Sequence, residues 1–315
     1  MNYSQAGSLS ICICSRWSKY IIVEEEVVVV VNVRIVVDST SDLPLEVREK
    51  FKIEMVPLKV HFGNETYLDS VTISSADFFK KLVESDHLPT TSQPSPVDFM
   101  EVYKKLLQEP DTRILSFHLS SAFSGTYQSA VLAKSMLDND ERITIYDSKS
   151  ASLGFGILAI AAAEAAEKGA SVDEILEHVR NIQKNLQLYF LVDTLEYLHR
   201  NGRIGKASAV FGSLLNIKPI LSIDPNEGVI FPVDKVRGSR KAMGRIVEML
   251  KERFGDQEVD VLLVHANSPG NAEQLSSLMK ENFKIGDMSA YELGPVIGTH
   301  VGPGTVGLFM KPSSI

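Results

Sequence analysis

The residues best suited to chemistry form the hydroxyl-rich run Ser120-Ser121-Ala122-Phe123-Ser124-Gly125-Thr126-Tyr127-Gln128-Ser129-Ala130. It follows the apolar stretch Ile114 to Leu119 and precedes a helix-spaced set, Tyr127, Val131, Leu132, Ser135 and Met136, so it reads as a strand-to-helix turn. Such a turn offers unpaired backbone N–H groups, the positive end of a helix and Ser and Thr donors, a combination suited to an anion. Ser124 also has a plainer reading as the N-cap of that helix. A second hydroxyl cluster, Thr90-Thr91-Ser92 with Ser95, lies in a loop punctuated by Pro89, Pro94 and Pro96, where it either joins such a site or faces solvent. His300, set among Gly298, Gly302 and Gly304, is either a hydrogen-bonded turn residue or a group able to polarise an oxygen.

Familiar catalytic patterns are absent or incomplete. Gly302-Pro303-Gly304-Thr305-Val306-Gly307 matches a dinucleotide-binding spacing, but no helix can follow it. Gly205-Lys206 lacks the Ser or Thr after Lys and the earlier Gly of a phosphate loop, so the chain shows no ATP site of its own. Ser124 is preceded by Ala122-Phe123 and does not match a nucleophile elbow. A hydrolase pairing Ser124 with His300 stays open, because triads are defined by geometry rather than by order. No metal or cofactor site is expected: Cys12 and Cys14 are the only cysteines and have no further Cys or nearby His.

A net charge of -8 without a Lys/Arg cluster argues against a nucleic-acid surface. With no disulfide framework and no basic segment before the first apolar patch, a cytoplasmic location is expected. Residues 1–32 look unlike the rest and are expected to be a disordered or non-native extension.

The elements that must position the hydroxyls begin at Val33. Val33 to Val37 reads as a buried strand ending in Asp38-Ser39, Ile53 to Phe62 as a second strand, and Thr66 to Leu68 as the return arm of a small hairpin. Helices are expected from Ser74, from Pro96 and from Leu153 to Lys168, and Arg142 to Tyr146 is a strand ending in Asp147-Ser148. This alternation predicts an α/β fold with a parallel, Rossmann-like N-terminal sheet, whose strand ends gather along one ligand-binding edge. Ser171 with Glu174 is a capping box, and we place a domain boundary there: residues 33–170, with a hairpin insertion near 55–70, then a mixed-sheet α/β domain over 171–315. In the second part, Lys206 to Leu215 reads as a helix and Lys218 to Ile223 with Val229 to Val233 as a hairpin.

Taken in order, Val37-Asp38-Ser39-Thr40-Ser41-Asp42-Leu43-Pro44, Thr91-Ser92-Gln93-Pro94-Ser95, the Ser121 to Ala130 run, Tyr146-Asp147-Ser148, Leu195-Glu196-Tyr197-Leu198 with Gly202-Arg203-Ile204, and Gly298-Thr299-His300-Val301-Gly302-Pro303-Gly304 resemble the DegV family. The resemblance runs from about Val33 to the C-terminus. It implies a fold of that family's two-domain type and a fatty-acid-binding subunit of bacterial fatty acid kinase. Such a subunit holds the acid while a separate ATP-binding subunit phosphorylates its carboxylate to an acyl phosphate for phospholipid synthesis, with transient membrane contact.

Carried over residue by residue, the resemblance assigns the carboxylate to Thr91, Ser92, Ser124, Gly125 and His300, and assigns Arg203 and Arg237 to the head group or to coupling with the kinase. Asn201-Gly202 stands where that family has Gly-Gly, a departure that could alter the turn carrying Arg203. The physics agrees with such a ligand. Burying a long chain yields on the order of 10 kcal/mol gross at roughly 0.8 kcal/mol per methylene, so the chain dominates affinity and the hydroxyls fix the acid's position. Alternatives are a lipid-ester hydrolase or a carrier of another small amphiphile.

Overall fold

Branched aliphatic residues open the fold. The computed structural model describes residues 32–85, 87–138, 140–212 and 217–315. Its first strand, β1 (Asn32–Asp38), buries Ile35, Val36 and Val37 almost completely, as a strand covered on both faces must. Helix α1 (Leu45–Lys50) leads to β2 (Glu54–Val56), and the chain then forms the hairpin β3 (Lys59–Phe62) and β4 (Glu65–Leu68). Helix α2 (Ser75–Glu84), strand β5 (Thr90–Ser92), helix α3 (Pro96–Leu106), strand β6 (Thr112–His118), helix α4 (Thr126–Ser135) and strand β7 (Ile143–Asp147) follow. The order β2-β1-β6-β7 makes a parallel sheet, while β4-β3-β5 makes a small antiparallel one.

Helices α5 (Leu153–Glu167) and α6 (Val172–Asn185) then connect to β8 (Gln187–Leu191) and α7 (Glu196–Arg200). Strands β9 (Ile217–Ile223) and β10 (Ile230–Arg237), helix α8 (Ser239–Phe254), strand β11 (Glu258–His265) and helix α9 (Pro269–Asn282) come next, followed by β12 (Lys284–Glu292), α10 (Pro295–Val301) and β13 (Val306–Pro312). The sheet order is β10-β9-β8-β13-β11-β12, and only β11 and β12 run parallel. The protein is thus α/β, with a parallel four-stranded sheet followed by a mixed six-stranded one. One apolar cluster includes Val37 and Phe117 of the first sheet, Leu158 of α5, and Val264 and Phe309 of the second. Among the described residues, no helix is long and apolar enough to cross a membrane.

Several sequence expectations need correction. Ile53 to Phe62 is two strands in two sheets, because Pro57 has no amide to continue a ladder. The proline-punctuated loop contains β5, which pairs with β3 through Val60 and Thr91. Helix α4 buries Thr126, Ser129, Ala130 and Ala133, whereas Val131, Leu132 and Met136 are 39%, 51% and 54% exposed. Its small residues, not its large ones, face the core. The stretch from Lys206 is a 3-10 segment, Gly205–Val210, and residues 213–216 lie outside those described. The glycine-rich stretch carrying His300 is a helix. The expected extension, residues 1–32, falls on residues 1–31 outside those described, except that β1 takes in Asn32.

Candidate functional site

Helix α10 brings His300 to the site, and two carboxylates hold its start. Gly294 N–H donates to Asp42 Oδ1 at 3.0 Å, and Val296 N–H donates to Asp69. These backbone groups have no partner inside the helix, and negative charge is favourable at that end. Ser152 Oγ donates to Asp42 Oδ2 at 2.5 Å, and Ser39 Oγ donates to Asp69 Oδ2 at 2.6 Å. Burial pushes both carboxyls up, Asp69 to about 6, against the opposing pull of these hydrogen bonds. Ser152 holds φ +55°, a left-handed conformation rare for a non-glycine residue, where the chain enters α5.

Beside α10 lies a pocket of about 830 Å3, open solvent at its mouth included. Leu58, Leu119, Leu188, Phe190, Val296 and Phe309 give it apolar walls, and Thr91, Ser124, Arg203 and His300 also line it. The polar residues are linked. Thr91 Oγ1 and His300 Nε2 are 2.9 Å apart, and Arg203 donates from Nε to the Phe123 carbonyl at 3.0 Å and from Nη1 to the Asn201 carbonyl at 2.7 Å. Phe123 adjoins Ser124, so Arg203 binds the turn that carries this hydroxyl. Ser124 Oγ accepts from Thr126 N–H at 3.3 Å and shares a 2.9 Å bond with Thr126 Oγ1. It therefore supports the start of α4 while lining the pocket.

Arg203 has no carboxylate partner among the described residues, leaving a positive charge at the edge of an apolar pocket. Burial, and secondarily that charge, push His300 down to about 3. The imidazole is neutral at pH 7, and its Nδ1 is buried without a hydrogen-bond partner among the described residues. The arrangement suits an amphiphile with one anionic end: hydroxyls and a guanidinium at the head, hydrocarbon walls behind.

The other sequence-derived candidates stand elsewhere. Ser92 points away from Thr91, as adjacent strand residues must, and its Oγ bonds His61 Nε2 at 2.8 Å. Gly125 is the N-cap of α4 and does not line the pocket; a side chain there would collide with the Gln93 amide. Arg237 is exposed at the end of β10, outside the pocket lining. Asn201 was legible only as a departure. Its Nδ2 donates to the Thr299 carbonyl at 3.1 Å, tying the Arg203 turn to α10, and its φ of -87° needs no glycine. The partnership of Asp42 with Gly294 was not legible, since 252 residues separate them.

A second polar chain resembles a proton relay. Asp38 Oδ2 lies 3.1 Å from His118 Nδ1, His118 Nε2 lies 2.8 Å from Ser116 Oγ, and Tyr103 donates to Ser116 at 2.8 Å. All four residues are fully buried and none lines the pocket, so the chain ties β1, β6 and α3 together.

A family model described as an uncharacterised protein of the DegV family matches residues 32–313. The chain belongs to the DegV family. It is 40% identical over 278 residues to the DegV domain-containing protein BH3627 of Halalkalibacterium halodurans, spanning 88% of this chain and 97% of that one. Among solved DegV structures, it resembles a fatty-acid-binding DegV family protein from Thermus thermophilus at a TM-score of 0.83 and 35% identity, covering 89% of this chain and 99% of that one. It also resembles DegV, a fatty acid binding protein from Bacillus subtilis, at a TM-score of 0.79 and 36% identity, with coverage of 90% and 100%.

Proposed function

We propose that this DegV-family protein binds a long-chain fatty acid and presents its carboxylate to a separate ATP-binding kinase subunit, which converts it to an acyl phosphate for phospholipid synthesis. The observation that carries this reading is the apolar pocket ending at Thr91, Ser124, Arg203 and His300. The family relationship adds to it, because similar proteins from Thermus thermophilus and Bacillus subtilis bind fatty acids. The hydrocarbon chain supplies most of the binding free energy, and the polar cluster fixes the carboxylate where a phosphoryl group can reach it. Neutral His300 and the hydroxyls orient its oxygens, while Arg203 offsets its charge. Arg237 lies on the surface offered to the kinase, and contact with the membrane is transient.

The hydrolase reading is less favoured by the geometry. Ser124 bonds Thr126, His300 bonds Thr91, and no carboxylate orients the imidazole among the described residues. The test is solvent extraction of the purified protein followed by mass spectrometry, with acyl-phosphate formation then measured after adding a kinase subunit and ATP. A copurified long-chain fatty acid and kinase-dependent turnover are expected; ester cleavage by the protein alone, or a different amphiphile, would overturn the reading.

A further inference from the structure

We infer that Leu188, Ile223 and Phe309 form a wall one side chain thick that sets the longest acyl chain the pocket accepts. This rests on the fatty-acid reading of the same pocket. The three residues line the apolar pocket and also line a second, solvent-open cleft of mixed polar and apolar character, about 1920 Å3 with the open solvent at its mouth included. That cleft presents Lys149, Arg180, Gln183, Lys184 and Asn226. Thr91, Ser124, Arg203 and His300 line the apolar pocket and not the second cleft.

The wall is anchored unevenly. Leu188 of β8 and Phe309 of β13 are direct cross-strand partners, and Phe309 is 3% exposed. Its ring rests against Gly154 of α5, where a Cβ would collide with it, so backbone backs it on that side. Leu188 and Ile223 are half-buried, and Ile223 ends β9, where the chain turns toward Asp224. These two side chains have room to yield. A chain lying within the pocket gains about fourfold in affinity for each added methylene. One long enough to reach the wall must displace it or emerge among charged groups and water, where that gain ends.

The experiment is competition binding with saturated fatty acids from about ten to about twenty-four carbons, on the wild-type protein and on Ile223→Ala, Leu188→Ala and Ile223→Phe, each confirmed folded by circular dichroism. In the wild type, affinity is expected to rise with length and then break. The break should move up to about three carbons longer in the alanine variants, each of which removes that many side-chain carbons, and shorter in Ile223→Phe. An unchanged break in all three variants would overturn the wall, even with fatty acids bound normally. A wild-type protein that bound none of the series would instead overturn the fatty-acid reading beneath it.

Discussion

Thr91 Oγ1 and His300 Nε2 lie 2.9 Å apart although 209 residues separate them in the chain. The bond joins the edge of the small antiparallel sheet to the last turn of α10, with Arg203 close enough to bear on the imidazole. A donor set assembled from such distant segments can be displaced by changes far from the pocket, and that dependence can be measured.

Removing both hydroxyls tests the head group. Thr91→Ala combined with Ser124→Ala is expected to weaken fatty-acid binding by roughly 100-fold or more, since each of the two hydrogen bonds to a charged group contributes about 1.5–3 kcal/mol and chain burial is untouched. Stopped-flow release of a fluorescent fatty acid would read the change. A release rate equal to wild type would place the carboxylate elsewhere.

Asn201→Ala is expected to cost about 1 kcal/mol of stability, because it deletes the bond to the Thr299 carbonyl. Asn201→Gly should cost more, since it also frees backbone that adopts ordinary negative φ. Both should weaken fatty-acid binding severalfold by loosening the turn that carries Arg203. Urea unfolding checks the ranking, and a glycine variant as stable as wild type would contradict it.

Two of the contributions to the pH dependence of stability are opposed. Asp69 is raised to about 6, so its protonated form is favoured in the folded state. The stabilisation it gives at low pH is lost as pH rises from about 4 to about 6, a change of roughly 3 kcal/mol at most. His300 is lowered to about 3, so its contribution is present above about 6.5 and is lost as pH falls toward 3. The whole-protein profile mixes both, and single variants separate them. Wild-type stability minus that of Asp69→Asn should fall between pH 4 and 6 in urea titrations; a flat difference would contradict the raised carboxyl.

Arg237 separates binding from coupling. Because it is exposed and outside the pocket, Arg237→Ala is expected to retain fatty acid as wild type does while slowing acyl-phosphate formation with the kinase subunit. Turnover at the wild-type rate in that reconstituted assay would remove its proposed role.

The sequence carried the order of strands and helices well where local chemistry was decisive. Pro96 opens its helix and Ser171 with Glu174 caps another as a capping box, and the β9–β10 hairpin pairs across the loop from Asp224 to Gly228. It failed where tertiary packing overruled composition. In α4 the large apolar residues face outward, because the small stripe of Ser129, Ala130 and Ala133 is what allows close approach to the core. The glycine-rich stretch around His300 read as a turn, yet it enters α10, and Gly298 is needed there because Phe78 and Phe79 leave no space for a side chain. The site was legible as a set of hydroxyls, a histidine and an arginine. Their convergence was not, since Asp42, Asp69 and Asn201 act through backbone groups of a helix remote in sequence.

The arrangement of chain and acid group is tested most directly by a structure of the protein saturated with palmitate. The carboxylate is expected about 3 Å from the hydroxyls of Thr91 and Ser124, with the chain running past Leu119 and Phe190 toward Phe309. A carboxylate lying instead among Lys149, Arg180 and Lys184, or a chain bound outside the apolar pocket, would contradict it.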